Sequence, residues 1–258
     1  MTFAVAADAY DRHVGRYGSE LGEALADAAG VRAGQRVLDV GSGPGALTRV
    51  LAERVGAENV AAVDPSEPFV AAVGERLPGV DVRRASAEKL PFAADQFDAV
   101  LAQLVVNFMA DPEVGVREMR RVARPGGAVA ACVWDYPGEM TLLRVFWDAA
   151  AAVAPELAAG PDERTSMRFG EAGELAELWR ACGLVDVEAG ELVVSAAYES
   201  FADLWEPYSM GVGPAGAHVV SLDDEQREVL RAEYERRLGS PRGPFHLSAR
   251  AWYAVGRA

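Results

Sequence analysis

The sequence predicts an α/β protein built on a parallel, doubly wound sheet, and three observations carry that prediction. Short strand-like runs at 36–40, 59–64, 80–84, 99–106 and 128–133 alternate with helical periodicity. The segments between them are of the length that crossover helices need, and parallel neighbours require crossovers. The first run, moreover, empties into a glycine-rich turn, Val37-Leu38-Asp39-Val40-Gly41-Ser42-Gly43-Pro44-Gly45, and then into a helix. Glycine tolerates positive φ and lets a ligand approach the backbone, while the helix start offers free N–H groups and a positive dipole end. Such an elbow is a ligand site.

Taken in order, the chain opens with Tyr10, Val14, Tyr17, Leu21 and Leu25 at spacings of three and four. That spacing predicts one amphipathic helix, or two broken near Gly15 and Gly18, over 3–29. Val31 to Gln35 is a turn, Arg36 to Val40 the first strand, and Ala46 to Val55 the helix after the elbow. Asn59 to Asp64 is a strand ending on a carboxylate. Pro65 and Pro68 open a helix to Leu77, since proline fits a first turn. Val80 to Arg84 is a third strand, and Ala99 to Val106 a strand buried on both faces. Pro112 to Ala123 is a helix, and Arg124-Pro125-Gly126-Gly127 a tight turn into the strand Ala128 to Val133. Helices follow at 139–153, 171–182, 200–207 and 223–238, with strands at 185–197 and 245–255.

The chain has 258 residues, half of them hydrophobic and a quarter charged, as expected of one globular domain elaborated by insertions. Its 25 Lys+Arg against 39 Asp+Glu leave a net charge of −14, which repels nucleic acid and anionic membrane surfaces alike. Neither is expected as a partner. Cys132 and Cys182 stand in apolar segments without metal-ligand spacing, so reduced, buried thiols and no metal are expected. No basic leader precedes Asp8, and no apolar run approaches the ~18 residues of a membrane span, so the expected location is cytoplasmic.

Gly41, Gly43 and Ala46 satisfy the spacing of a dinucleotide fingerprint, and Asp64 lies near the position for an acidic group on a ribose. An NAD(P)-dependent oxidoreductase is therefore one reading of the elbow. Asp39 opposes it: an anion two residues before the first glycine would face a pyrophosphate, yet suits a cationic ligand.

Four motifs in order argue further against the oxidoreductase, which stays open as the alternative: Val37–Gly45, Val63-Asp64-Pro65-Ser66, Ala87-Glu88-Lys89-Leu90-Pro91-Phe92-Ala93-Ala94-Asp95-Gln96-Phe97-Asp98, and Arg120-Arg121-Val122-Ala123-Arg124-Pro125-Gly126-Gly127. Together they resemble the class I S-adenosylmethionine-dependent methyltransferases, in the branch of ubiquinone/menaquinone-type and natural-product small-molecule enzymes. The resemblance covers residues 36–135. It implies a Rossmann-like, seven-stranded sheet, mostly parallel with an antiparallel last strand, in one methyltransferase domain over 1–258. Within it, 1–30 would be a helical lid, 31–137 the cofactor-binding core, 138–183 and 198–243 cap insertions, and 244–258 the last strand. A non-catalytic S-adenosylmethionine-binding module is the other reading open to such a chain.

The resemblance also implies roles. S-adenosyl-L-methionine would be the cofactor and S-adenosyl-L-homocysteine the product. Gly41, Ser42, Gly43 and Gly45 would let the backbone reach the methionine part, with Asp39 near its ammonium. Asp64 would accept the ribose hydroxyls, and Pro65 with Ser66 would shape the turn beneath the adenine. Ala87 and Glu88 would meet the adenine edge, next to Ser86, which stands where many relatives have aspartate. Gln103 would line the sulfonium side. Tyr10 to Tyr17 looks like the family's lid segment, in which Tyr17, with Arg16, would contact the cofactor's carboxylate.

Transfer from a sulfonium needs alignment and the exclusion of water more than it needs a base. The candidate catalytic groups are His13, as a base, and Asn107, which stands where relatives carry histidine and can orient an acceptor without taking a proton. The methyl acceptor is expected to be a small apolar or aromatic molecule, methylated on O, N or C. Trp134, Tyr136, Trp147 and Phe169 are the substrate-binding candidates, although aromatics at helical spacing pack cores as readily as they bind ligands. Asp135 reads as a base, a cation-binding group or a solvated loop residue.

Overall fold

A computed structural model describes residues 13–158 and 162–258. The part of the expected helical segment 3–29 that precedes His13, with Tyr10, Asp11 and Arg12, lies outside the described residues. Seven strands form one sheet: β1 (Val37–Val40), β2 (Val60–Asp64), β3 (Asp81–Arg84), β4 (Phe97–Gln103), β5 (Ala123–Trp134), β6 (Val185–Tyr198) and β7 (Phe245–Arg257), in the order β3-β2-β1-β4-β5-β7-β6. The pairs β3–β2, β2–β1, β1–β4 and β4–β5 are parallel, and β7 runs antiparallel to β5. The predicted fold class is thus the observed one.

The helices are α1 (Gly18–Ala28), α2 (Ala46–Val55), α3 (Glu67–Arg76), α4 (Pro112–Val122), α5 (Thr141–Val153), α6 (Pro155–Ala158), α7 (Glu163–Ser166), α8 (Glu174–Ala181), α9 (Phe201–Ser209), α10 (Gly213–Ser221) and α11 (Asp224–Arg237). A short 3-10 turn, Val14–Tyr17, precedes α1. Among the described residues no helix is long and apolar enough to cross a membrane.

The chain forms two compact units. One comprises Gly18–Trp134, Phe169–Leu192 and Ala251–Ala258. Here β1 and β2 are buried at every position, as strands covered on both faces must be. Against them α1 packs on α2 through glycine: a Cβ on Gly18 would come within 2.9 Å of that of Ala46, and one on Gly22 within 3.3 Å of Val50. Asp111 caps α4 by accepting from the Val114 N–H, with Pro112 in the first turn.

The other unit comprises the described residues up to Tyr17, Asp135–Arg168 and Val193–Arg250. Its core is aromatic. Phe146 stacks on Tyr208 at 4.7 Å between ring centroids, and the Tyr208 and Tyr234 hydroxyls both donate to the Leu142 carbonyl, at 3.2 and 2.9 Å. The capping box Asp223/Gln226 starts α11, whose buried residues are Leu230 and Tyr234, leaving its charged side chains on the solvated face.

Two details differ from expectation. The β4 strand stops at Gln103 rather than continuing to Val106, because Leu104 takes a positive φ of 61° and Val106–Phe108 coil into a 3-10 turn. The expected turn 124–127 is an excursion inside β5, where the register passes from Phe97↔Ala123 to Ala99↔Ala128.

Candidate functional site

The elbow lies at the carboxyl end of β1, where the strand order turns to β2 on one side and β4 on the other, the place where open α/β sheets bind ligands. The Gly41 and Ser42 N–H groups both donate to the Val63 carbonyl, at 2.8 and 3.0 Å, folding the turn back over β2. Gly41 has φ 75°, and a Cβ there would stand 2.5 Å from Val105. Gly45 begins α2 at φ 101°. Around Gly43, at φ 52°, an added Cβ would meet nothing within 4 Å, so the backbone is open to a ligand.

Two carboxylates flank this turn. Asp64, at the end of β2, accepts from the Gly43 N–H at 2.9 Å with one oxygen and from the Ser66 N–H at 2.8 Å with the other. Each oxygen keeps a lone pair for a second donor. Burial raises its proton affinity, and the two N–H groups oppose that rise. Asp39 is 1 % exposed. Its Oδ2 accepts from the Thr48 hydroxyl at 2.6 Å, while Oδ1 has no partner. Burial pushes its pKa up to about 7, with the Asp64 charge adding to the rise and Thr48 opposing it.

Gln103, two residues past the Asp39↔Leu101 pair, donates through Nε2 to the Gly18 carbonyl at 2.9 Å and leaves Oε1 buried without a partner. The Ser42 hydroxyl is also buried without one. Asp39 Oδ1 and Gln103 Oε1 are thus buried acceptors without a donor, near the ends of two neighbouring strands, and the Ser42 hydroxyl, which can accept or donate, is unpaired just past the first. Leaving them unpaired costs free energy, and a ligand rich in N–H donors would recover it. The residues present therefore fit a ligand bearing an ammonium group.

Farther round the rim, Pro65 and Ser86 are exposed and Ala87 is buried. Glu88 accepts from the Ala110 N–H at 2.9 Å, tying the loop after β3 to the start of α4. Asn107 is buried in the 3-10 turn after β4. Trp134 is buried at the end of β5, and Phe169 is half-buried at φ 61°. All of these belong to the unit that holds the elbow.

His13, Tyr17, Tyr136 and Trp147 belong to the other unit. His13 is buried with its ring edge-to-face on Tyr208 at 4.6 Å. Burial, aided by the Arg16 charge, lowers its pKa to about 3, so it stays neutral at physiological pH and is a weak proton acceptor. The Tyr17 phenol is buried beside Tyr198, which raises its pKa. Tyr136 is buried too. Trp147 is fully buried, and its indole N–H donates to Glu163 at 2.6 Å.

Asp135 is neither a solvated loop residue nor an open cation site. It is 3 % exposed and accepts from the Gly138 and Glu139 N–H groups and from the Arg250 guanidinium at 2.7 Å. Cys132 and Cys182 are free and buried, and the described residues hold no metal-ligating cluster. Two residues went unsingled by the sequence reading. Thr48 carried a signal, a hydroxyl in the first turn after the elbow; Glu163, in an irregular stretch, carried none.

Comparison with known proteins agrees with this geometry. Residues 38–131 match the family model described as a methyltransferase domain. Over 199 residues the chain is 30% identical to a demethylmenaquinone methyltransferase of Clavibacter sepedonicus, covering 72% of this chain and 76% of that one. It is 33% identical over 136 residues to a demethylmenaquinone methyltransferase of Mycolicibacterium paratuberculosis, covering 53% and 57%. The matched stretch spans about half the length of several curated relatives. Among solved structures, one described as a candidate type II methyltransferase of Anaeromyxobacter dehalogenans shares the fold at a TM-score of 0.66 with 25% identity, over 94% of this chain and 97% of that one. With a relative matched across about three quarters of its length, the chain belongs to the class I S-adenosylmethionine-dependent methyltransferases, in the ubiquinone/menaquinone-type branch.

Proposed function

We propose that this protein transfers the methyl group of S-adenosylmethionine to an oxygen, nitrogen or carbon of a small apolar or aromatic molecule. The observation that carries the reading is the pair of unpartnered buried acceptors, Asp39 Oδ1 and Gln103 Oε1, at the ends of β1 and β4. A pyrophosphate would bring more acceptors to Asp39 Oδ1 and Gln103 Oε1, which have no donor to give in return, and this disfavours a nicotinamide cofactor. The relatives named for demethylmenaquinone make a quinone-type ring the first acceptor to try.

In this proposal Asp39 and Gln103 accept from the cofactor's ammonium, and Gly43 lets the methionine portion lie against the backbone. Asp64 takes the ribose hydroxyls on its remaining lone pairs, held by the N–H groups of Gly43 and Ser66. Pro65, Ser86, Ala87 and Glu88 border the adenine. The sulfonium supplies an already electrophilic methyl group, so the protein's part is to orient an acceptor and keep water out. Asn107 orients by hydrogen bonding. His13, neutral and enclosed, is assigned packing rather than proton transfer. Of the aromatic candidates, Phe169 has surface left to offer an acceptor.

Thermal denaturation with S-adenosylhomocysteine, NAD, NADP and FAD tests the cofactor. At a hundred times its dissociation constant a ligand stabilises by about 2.7 kcal/mol, which for a chain of this size raises Tm by roughly 5–10 °C. A rise with S-adenosylhomocysteine alone is expected. A rise with NAD and none with S-adenosylhomocysteine would overturn the assignment.

A further inference from the structure

We propose that Thr48 is a positioning residue for the cofactor's ammonium group: its hydroxyl holds one oxygen of Asp39 and leaves the other, charged and unpaired, for the ligand. The inference rests on the reading of the elbow as an S-adenosylmethionine site and names a residue that tunes it. Thr48 is the third residue of α2 and is fully buried, so its place is set by the helix and not by solvent. An ionised carboxylate only accepts, so the single proton of the Thr48 hydroxyl is committed to Asp39 Oδ2, 2.6 Å away. This bond leaves Oδ1 as the oxygen without a partner.

The bond also sets the charge on Asp39. Burial and the like charge of Asp64 on β2 both favour the protonated form, and Thr48 opposes them. The Asp64 charge is itself held by the N–H groups of Ser66 and Gly43. The neighbour from β4, Gln103, is neutral. With burial and Asp64 on one side and the Thr48 hydroxyl and backbone N–H on the other, Asp39 stands near its midpoint at neutral pH, where loss of one hydrogen bond to the charged form shows most, and Thr48→Val removes the hydroxyl alone. Such a bond is worth about one pKa unit. Thr48→Val keeps the side-chain shape, removes the donor, and should therefore leave Asp39 mostly protonated at pH 7.

The experiment is a titration of S-adenosylhomocysteine into wild type, Thr48→Val, Thr48→Ser and Asp39→Asn by calorimetry between pH 6 and pH 9. The reading is the ratio of Thr48→Val to wild-type dissociation constants at each pH. The cofactor's own amine titrates equally in both and cancels. The ratio should be about fivefold at pH 7 and fall toward one near pH 9, following a midpoint raised by about one unit. Thr48→Ser should restore the wild-type profile, and Thr48→Val should have no further effect in an Asp39→Asn background. A pH-independent ratio, or failure of serine to rescue, would mean that Thr48 only packs and would overturn the proposal. If Thr48→Val does not fold, the Thr48→Ser profile carries the test: a profile shifted from wild type overturns the proposal, and a matching one supports it. If wild type itself does not bind S-adenosylhomocysteine, the cofactor assignment has failed instead.

Discussion

The elbow and the aromatic core of the second unit bury polar groups in opposite ways. At the elbow the turn's N–H groups are paired, Gly41 and Ser42 with the Val63 carbonyl and Gly43 with Asp64, while buried acceptors are left unpaired, as Asp39 Oδ1 and Gln103 Oε1 are. In the aromatic unit the Tyr208 and Tyr234 hydroxyls converge on one carbonyl, and the Trp147 indole is matched to Glu163. The first pattern withholds hydrogen bonds for a ligand, and the second spends them on the fold. The Tyr198 hydroxyl is buried without a partner in the second unit too, so what marks the elbow is unpaired acceptors together with a glycine turn at the carboxyl end of β1.

The sharpest way to break this contrast is Trp147→Ala. It opens a cavity in the aromatic core and strips Glu163 of its donor, so a loss of about 3–5 kcal/mol in urea denaturation is expected. Unchanged stability together with lost ligand binding would make Trp147 a ligand contact and erase the distinction. A smaller effect separates two glycines of the elbow. Gly41→Ala combines positive φ with a contact on Val105, for about 2–4 kcal/mol, while Gly43→Ala carries the conformational cost alone, about 1 kcal/mol in stability. Gly43→Ala should instead weaken S-adenosylhomocysteine, and the reverse ranking would mean that the ligand approaches elsewhere.

Glu163 gives the smallest effect and a sign. Burial raises its pKa from 4.5 to about 7, with the Trp147 N–H opposing the rise. A raised folded-state value means the folded chain holds the proton longer. The contribution to stability is full below about pH 4.5 and is lost as pH rises through about 7. Glu163→Gln should remove this slope and make the variant more stable than wild type at pH 8, by roughly 1–3 kcal/mol. Asp39 shifts in the same direction, so part of the slope will persist. A variant less stable than wild type at pH 8 would show that Glu163 has a cationic partner when folded.

The sequence was legible where the backbone dictates residue type. The span of α2 was read without error because an apolar helix follows directly on glycines, and Gly41, Gly43 and Gly45 stood out because glycine takes positive φ far more readily than other residues. Elements set by packing were missed. No element was expected over residues 213–216, Gly-Pro-Ala-Gly, yet they begin α10, where a Cβ on Gly216 would stand 2.6 Å from the Gly211 backbone, so the glycine serves close packing. The end of β4 was misplaced because the break at Leu104 lies in its φ, and leucine gives no sign of that.

By itself the sequence determined the sheet, the elbow and the family, since these rest on periodicity, glycine spacing and motifs that local chemistry constrains. Tertiary structure decided which polar groups are paired. Asp135 became a buried partner of Arg250, a residue 115 positions away, and Asp39 became half-paired through Thr48. A side chain's hydrogen-bond partners and solvation come from residues that only folding brings within reach, and those two quantities set its charge and its availability to a ligand.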